Sequence, residues 1–276
     1  MNKELYLAHQ VVAMEADNAL IPAMELFGRV GPALRHGFND VLDKLNSFFT
    51  LQRAIPLSNE HKKARDSLSR MNYASILDVP MPVPEGFKGD LAGYADYLSS
   101  CLDILAGTNK ALGETAKALA VAVSSPDQPM ESITADYIKS LAKSKDEAVS
   151  GADQYLDAHS SSASVPFGKL VKRNNDWAEV ITSADKLKQS LATLDKKDTI
   201  TKANEVDRLL DRVITQHTKG IRKEVDSQWI RSLSESVYQL AVLLEFYSVT
   251  YYRALAYLQS VEDISKKLIE MGKEDQ

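Results

Sequence analysis

The sequence predicts an all-α protein, and three observations carry that expectation. Glycine is sparse, 12 residues in 276, and β-branched residues do not gather in alternating runs. Helix-forming residues, Ala, Leu and Lys above all, are abundant. Apolar residues also recur at steps of three and four over most of the chain, the spacing that places them on one helical face. The architecture expected is an elongated multi-helix bundle with two long extended connections, at residues 78–89 and 160–176.

The stretch Gln228–Met271 anchors this reading. It holds neither Gly nor Pro, and Ile230, Leu233, Val237, Leu240, Leu244, Tyr247, Tyr251, Ala254, Leu258 and Val261 lie on one line. A second set, Val242, Leu243, Phe246, Val249, Leu255 and Tyr257, widens the stripe. A helix apolar around that much of its circumference is covered by several neighbours. A membrane span is the rival reading. Gln239, Glu245 and Arg253 oppose it, since each charge near a bilayer centre costs about 2.5–3.5 kcal/mol.

From the N-terminus, residues 2–21 form a first helical pattern on Leu5, Ala8, Val12, Glu15 and Ala19, with Val11, Met14 and Leu20 beside it. Pro22 ends or restarts the helix. A second pattern covers 23–55, with a break or kink expected near Gly31 and Pro32. Leu34, Phe38, Val41, Leu42, Leu45, Phe48 and Phe49 form its face. After Pro56, Ser58 opens a helix to about Leu77. The segment DVPMPVPEGFKG (78–89) holds three prolines and two glycines and reads as extended. Its Val79, Met81, Val83 and Phe87 are apolar, so it lies against the helices, with room for short β pairing.

Asp90 opens the next helix, to about Val123. A polar helix follows over 131–159. Ser160 to Asp176, with four Ser in its first five residues, is the second non-helical stretch. Val165, Phe167, Leu170 and Val171 are its apolar anchors. Helices are then expected over 177–194 and 199–220. No internal repeat of fixed period is present. One elongated domain over 1–276 is the reading adopted, with 78–89 and 160–176 as possible sub-boundaries.

The net charge of −5 and a pI near 5.6 argue against a general nucleic-acid binder. The single Cys101 rules out an intramolecular disulfide and a Cys-based zinc site. The N-terminal twenty residues lack the apolar core of a secretion signal. Phosphate-loop, dinucleotide-loop, nucleophile-elbow and His-Glu-x-x-His patterns do not occur. No Glu-x-x-His is present for a di-metal bundle. The expectation is a chain without catalytic residues, metal or cofactor, whose partners are other protein subunits and not small molecules, nucleic acid or membrane. Two features remain as contact candidates. Phe87 and Phe167 are anchors on the two arms, and Lys169, Lys172 and Arg173 form a short basic run beside Trp177. Exposed arms with spaced apolar anchors could dock on another subunit. Deleting 160–164 should then spare the fold and weaken assembly.

The opening ELYLAHQVVAMEAD and the later VPFGKLVKRNNDW together resemble virion structural proteins of large T4-like or jumbo tailed phages. That resemblance covers some 30 residues at two places. It implies a non-enzymatic, mostly helical protein in or within the head; a host-cytoplasmic adaptor or inhibitor is the alternative. It also draws attention to Ala13-Met14-Glu15. The prohead protease of such phages cuts after motifs of this form, which makes Glu15 a candidate processing site. Ala23-Met24-Glu25 and Ser260-Val261-Glu262 have the same form.

Overall fold

The computed structural model describes residues 3–15, 22–51, 60–126, 135–171, 176–222 and 225–274. Among them are ten α-helices, one short 3-10 turn and a single two-stranded sheet, so the all-α class holds. No described helix is long and apolar enough to cross a membrane.

The chain divides into two compact units, each assembled from three separate stretches. The first takes Met1–Gln52, Ile104–Lys145 and Asp195–Ser248; the second takes Arg53–Asp103, Asp146–Leu194 and Val249–Gln276. Three of the five boundaries fall inside helices, α5 (Leu91–Ser124), α6 (Ala135–Gly151) and α10 (Ser227–Glu274). Residues 78–89 and 160–171 both lie inside the second unit.

In the first unit α1 (Lys3–Glu15) packs on α2 (Ala23–Leu51), and α2 packs on α9 (Lys196–Thr218). Leu5, Ala8 and Val12 form the buried line of α1, as its spacing predicts. Of the break or kink expected near residue 31, the break is absent: α2 runs on with Pro32 inside it. Gly28 and Gly31 are there for close packing. A Cβ at Gly28 would lie 3.2 Å from the His217 ring, and one at Gly31 would lie 3.3 Å from Ile214, both on α9. α9 starts at Asp195, whose carboxylate accepts the Asp198 N–H at 3.0 Å as an N-cap does.

The second unit begins with α3 (Glu60–Arg70) and a separate turn, α4 (Tyr73–Ile76). The continuous helix expected to Leu77 is divided here, because the Asn72 side chain accepts the Ala74 N–H and starts a new turn. Strand β1 (Pro80–Pro82) then pairs antiparallel with β2 (Ser164–Pro166), with Met81 opposite Val165. The turn α7 (Phe167–Leu170) and the helix α8 (Asp176–Thr193) follow β2, and α8 packs on α3.

All ten residues of the line predicted for α10 are buried, those up to Tyr247 in the first unit and those from Tyr251 in the second. Val249, expected on the widened stripe, is instead 46% exposed. Its neighbour Thr250 turns inward in its place.

Candidate functional site

The two arms meet each other. Val83 N–H donates to the Ala163 carbonyl, Gly86 N–H to that of Ser162, and Phe167 N–H to that of Val79, each at 3.0 Å. Gly86 sits at φ +73°, and a Cβ there would lie 2.4 Å from the Asp157 carbonyl oxygen. Only glycine meets both conditions.

Proline controls the edges of this sheet. Met81 and Val165 are the pair whose backbone groups face each other, since Pro80, Pro82 and Pro166 have no N–H to give. Bonded and non-bonded pairs alternate along an antiparallel ladder, and with Val79 and Val83 bonded to Phe167 and Ala163 the outward backbone positions of β1 are Pro80 and Pro82. An added strand would find no donor there. On β2 the outward Ser164 carbonyl already accepts the Ser162 hydroxyl at 2.9 Å.

Phe87 and Phe167, expected as partner contacts on the arms, are covered within the second unit. Phe87 is 3% exposed, with its ring 5.2 Å from that of Tyr94. Phe167 is fully buried against Tyr73 and Trp177. Both hold the arms onto the second unit. Lys169 is exposed, and its carbonyl accepts the Asp90 N–H at 3.2 Å. Lys172 and Arg173 lie outside the described residues.

Glu15 is the last residue of α1, and its carboxylate lies 3.2 Å from the Arg29 guanidinium on α2. The bond after it leads into residues outside the described set. Around Glu15, α1 carries a feature that the sequence reading passed over. Leu7 and Met14 are 50% and 69% exposed, and half-buried Val11 lies between them. They follow the same three-and-four spacing as Leu5, Ala8 and Val12, one step round the helix. With Val30 and Ala33 of α2, Leu7 and Val11 line an open groove of about 300 Å³, flanked by Glu4 and Arg29. The signal was legible in Val11 and Met14, but an apolar residue is normally assigned to the core.

Three polar clusters bear on chemistry. His9 of α1 lies 3.4 Å from Ser234 Oγ through Nδ1 and 3.5 Å from Glu235 through Nε2, stacked on Tyr238. These are the residue types of a nucleophilic triad. Ser234 is fully buried, however, so no acyl group can reach its oxygen, and the cluster fastens α1 to α10. Burial lowers the His9 pKa against the opposing pull of Glu235.

The second cluster explains a buried arginine. Arg222 is 1% exposed, with its guanidinium 5.5 Å from the Trp229 ring. It donates to the Ala122 carbonyl, and Gln216 donates to that of Val123 at 2.8 Å. These are last-turn carbonyls of α5, which have no helical donor of their own, and a cation suits that end of the dipole. Nearby His217 is held below its ordinary pKa by burial and then by the Arg222 charge.

The third is a tyrosine group in the second unit. Tyr94 packs against Phe87, Tyr97, Tyr155 and Tyr257. Burial pushes the Tyr94 phenol up to about 12, and Tyr97, Tyr257 and Cys101 shift upward for the same first reason. Groups so shifted stay protonated at neutral pH and act here as core. Among the described residues no three His, Cys, Asp or Glu side chains gather as a metal would require. Glu245, the acid in the most apolar part of α10, is half-buried and accepts the Ser248 hydroxyl on its backbone carbonyl at 2.8 Å.

Comparison with family models, with curated proteins and with solved structures finds no match to this chain.

Proposed function

We propose that the chain is a non-enzymatic structural protein that works through contacts with other protein subunits, and that its place is the head of a large tailed phage. The contact role is carried by the Leu7–Met14 stripe. A helix already buried along one side holds out a second apolar line to solvent, and such a line marks an interaction surface. The virion placement is supported by the resemblance of the segments at 4–17 and 165–177 to virion structural proteins.

Glu15 enters this reading as a processing site. Cutting after it would release a helix that contributes Leu5, Ala8 and Val12 to the first unit, so α1 would leave an apolar face of α2 uncovered. Processing would therefore change the contact surface as well as the length.

The test is mass spectrometry of purified particles beside the surrounding lysate, reading abundance and the N-terminal peptide. Strong signal in the particles supports a virion component, and a chain beginning at Ala16 supports processing. Signal confined to the lysate would overturn the placement and favour an adaptor or inhibitor acting on a host protein.

A further inference from the structure

We propose that the occupant of the α1–α2 groove is the same groove of a second copy, in an antiparallel twofold dimer. This names the partner in the contact role proposed above and rests on that role, but not on the virion placement.

The argument begins with spacing. Along the exposed side of α1 the positions run Glu4, Leu7, Val11, Met14, at steps of three, four and three. That series reads the same from either end. Two such helices laid antiparallel match throughout: Leu7 meets Val11 of the second copy, and Glu4 meets Met14. A twofold contact requires this self-complementarity, because each pairing occurs twice.

Charge selects the same orientation. The groove has an acidic end at Glu4, whose side chain is 61% exposed, and a basic end at Arg29, 49% exposed. Within one copy these ends are already tied to neighbours, Glu4 to His36 at 3.4 Å and Arg29 to Glu15 at 3.2 Å. Antiparallel copies bring each Glu4 to the other copy's Arg29. Parallel copies would set acid on acid and base on base, which disfavours that arrangement. Val30 and Ala33 floor the groove with small apolar surface, so a Leu7 side chain can settle into it.

One pair of 13-residue helices covers less than the roughly 1,200–2,000 Å² of a standard stable interface. The dimer is therefore weak and concentration-dependent.

Sedimentation velocity on the full chain over roughly two decades of concentration reads it directly. The expected result is a shift from monomer to dimer. Leu7→Asp should weaken the dimer by at least about tenfold, with unchanged circular dichroism because Leu7 is already half exposed. Val121→Asp, at an exposed apolar position on α5, should leave it unchanged. Glu4→Arg and Arg29→Glu should each weaken it, and the double variant should recover it. Orientation is read by oxidation of cysteine variants, since native Cys101 is buried. A mixture of Leu7→Cys and Val11→Cys chains should cross-link faster than either alone. A chain monomeric throughout, a dimer indifferent to Leu7→Asp, or fastest cross-linking of Leu7→Cys with itself would overturn the proposal. None of these outcomes touches the particle measurement, so the two readings fail separately.

Discussion

A methyl group at Gly37 would sit 2.5 Å from the Leu5 side chain and 3.0 Å from its Cα. The nearest atoms, the Leu5 Cβ and the backbone that carries it, cannot swing aside, so α1 must move off α2. Gly37→Ala should cost about 1–3 kcal/mol, the range for overpacking, read as a fall in the urea midpoint. An unchanged midpoint would mean that α1 is not held where Leu5 is buried. The histidines make the second prediction at this scale. Burial holds His217 and His9 below 6.5, so each binds a proton less readily folded than unfolded. Their contribution is complete above 6.5 and is lost as pH falls from there towards the lowered folded values. The urea midpoint should therefore hold above about pH 6.5 and drop as pH falls below it. The drop should be smaller in His217→Asn. An equal drop in that variant would locate the proton uptake elsewhere.

At the scale of elements, the structure reverses one expectation and yields a sharper one. The Ser-rich loop looked dispensable, but the Ser162 and Ala163 carbonyls take the Gly86 and Val83 N–H groups, and Ser164 begins β2. Deleting 160–164 should therefore loosen the first arm: exchange at the Val83 and Gly86 amides should rise by an order of magnitude or more. Retained protection at both amides would show that the arm stands without its partner strand. This case separates what was legible in the sequence from what was not. α10 was legible because its signal is local and long, and the cap at Asp90 because it acts within three residues; the start of α9 at Asp195 lies earlier than the 199 expected. The arm pairing joins residues some eighty apart, and nothing in either arm names the other. The break read at Gly31 and Pro32 does not occur, and a glycine that weakens a lone helix here admits a close neighbour, Ile214. Phe87 and Phe167 were read as contacts because neither arm tells that the chain turns Tyr94 and Trp177, seven and ten residues on, back over them, or that Tyr73 covers Phe167 from afar. The exposed line of α1 lay in plain view and was absorbed into the core by default.

For the whole molecule, the question is whether two compact units mean two unfolding events. Each unit draws on three stretches of chain, so neither is a segment that could be cut out and expected to fold. The boundary also falls inside α5, α6 and α10, and a helix is cooperative along its length because its hydrogen-bond ladder is continuous. Melting one unit strips the packing from part of each of these helices and leaves the remainder with a frayed end inside its own core. α10 feels this most, with Leu240 and Leu244 fully buried in the first unit and Tyr257 and Val261 in the second. The expected calorimetric result is a single transition with calorimetric and van't Hoff enthalpies equal. Leu240→Ala and Leu258→Ala remove core side chains from different units, and each should cost about 2–5 kcal/mol. Because the helices are shared, both should lower the same melting temperature without splitting the peak. Two resolved peaks, with Leu240→Ala moving one and Leu258→Ala the other, would show instead that the helices uncouple at the boundary and that each unit keeps its own stability.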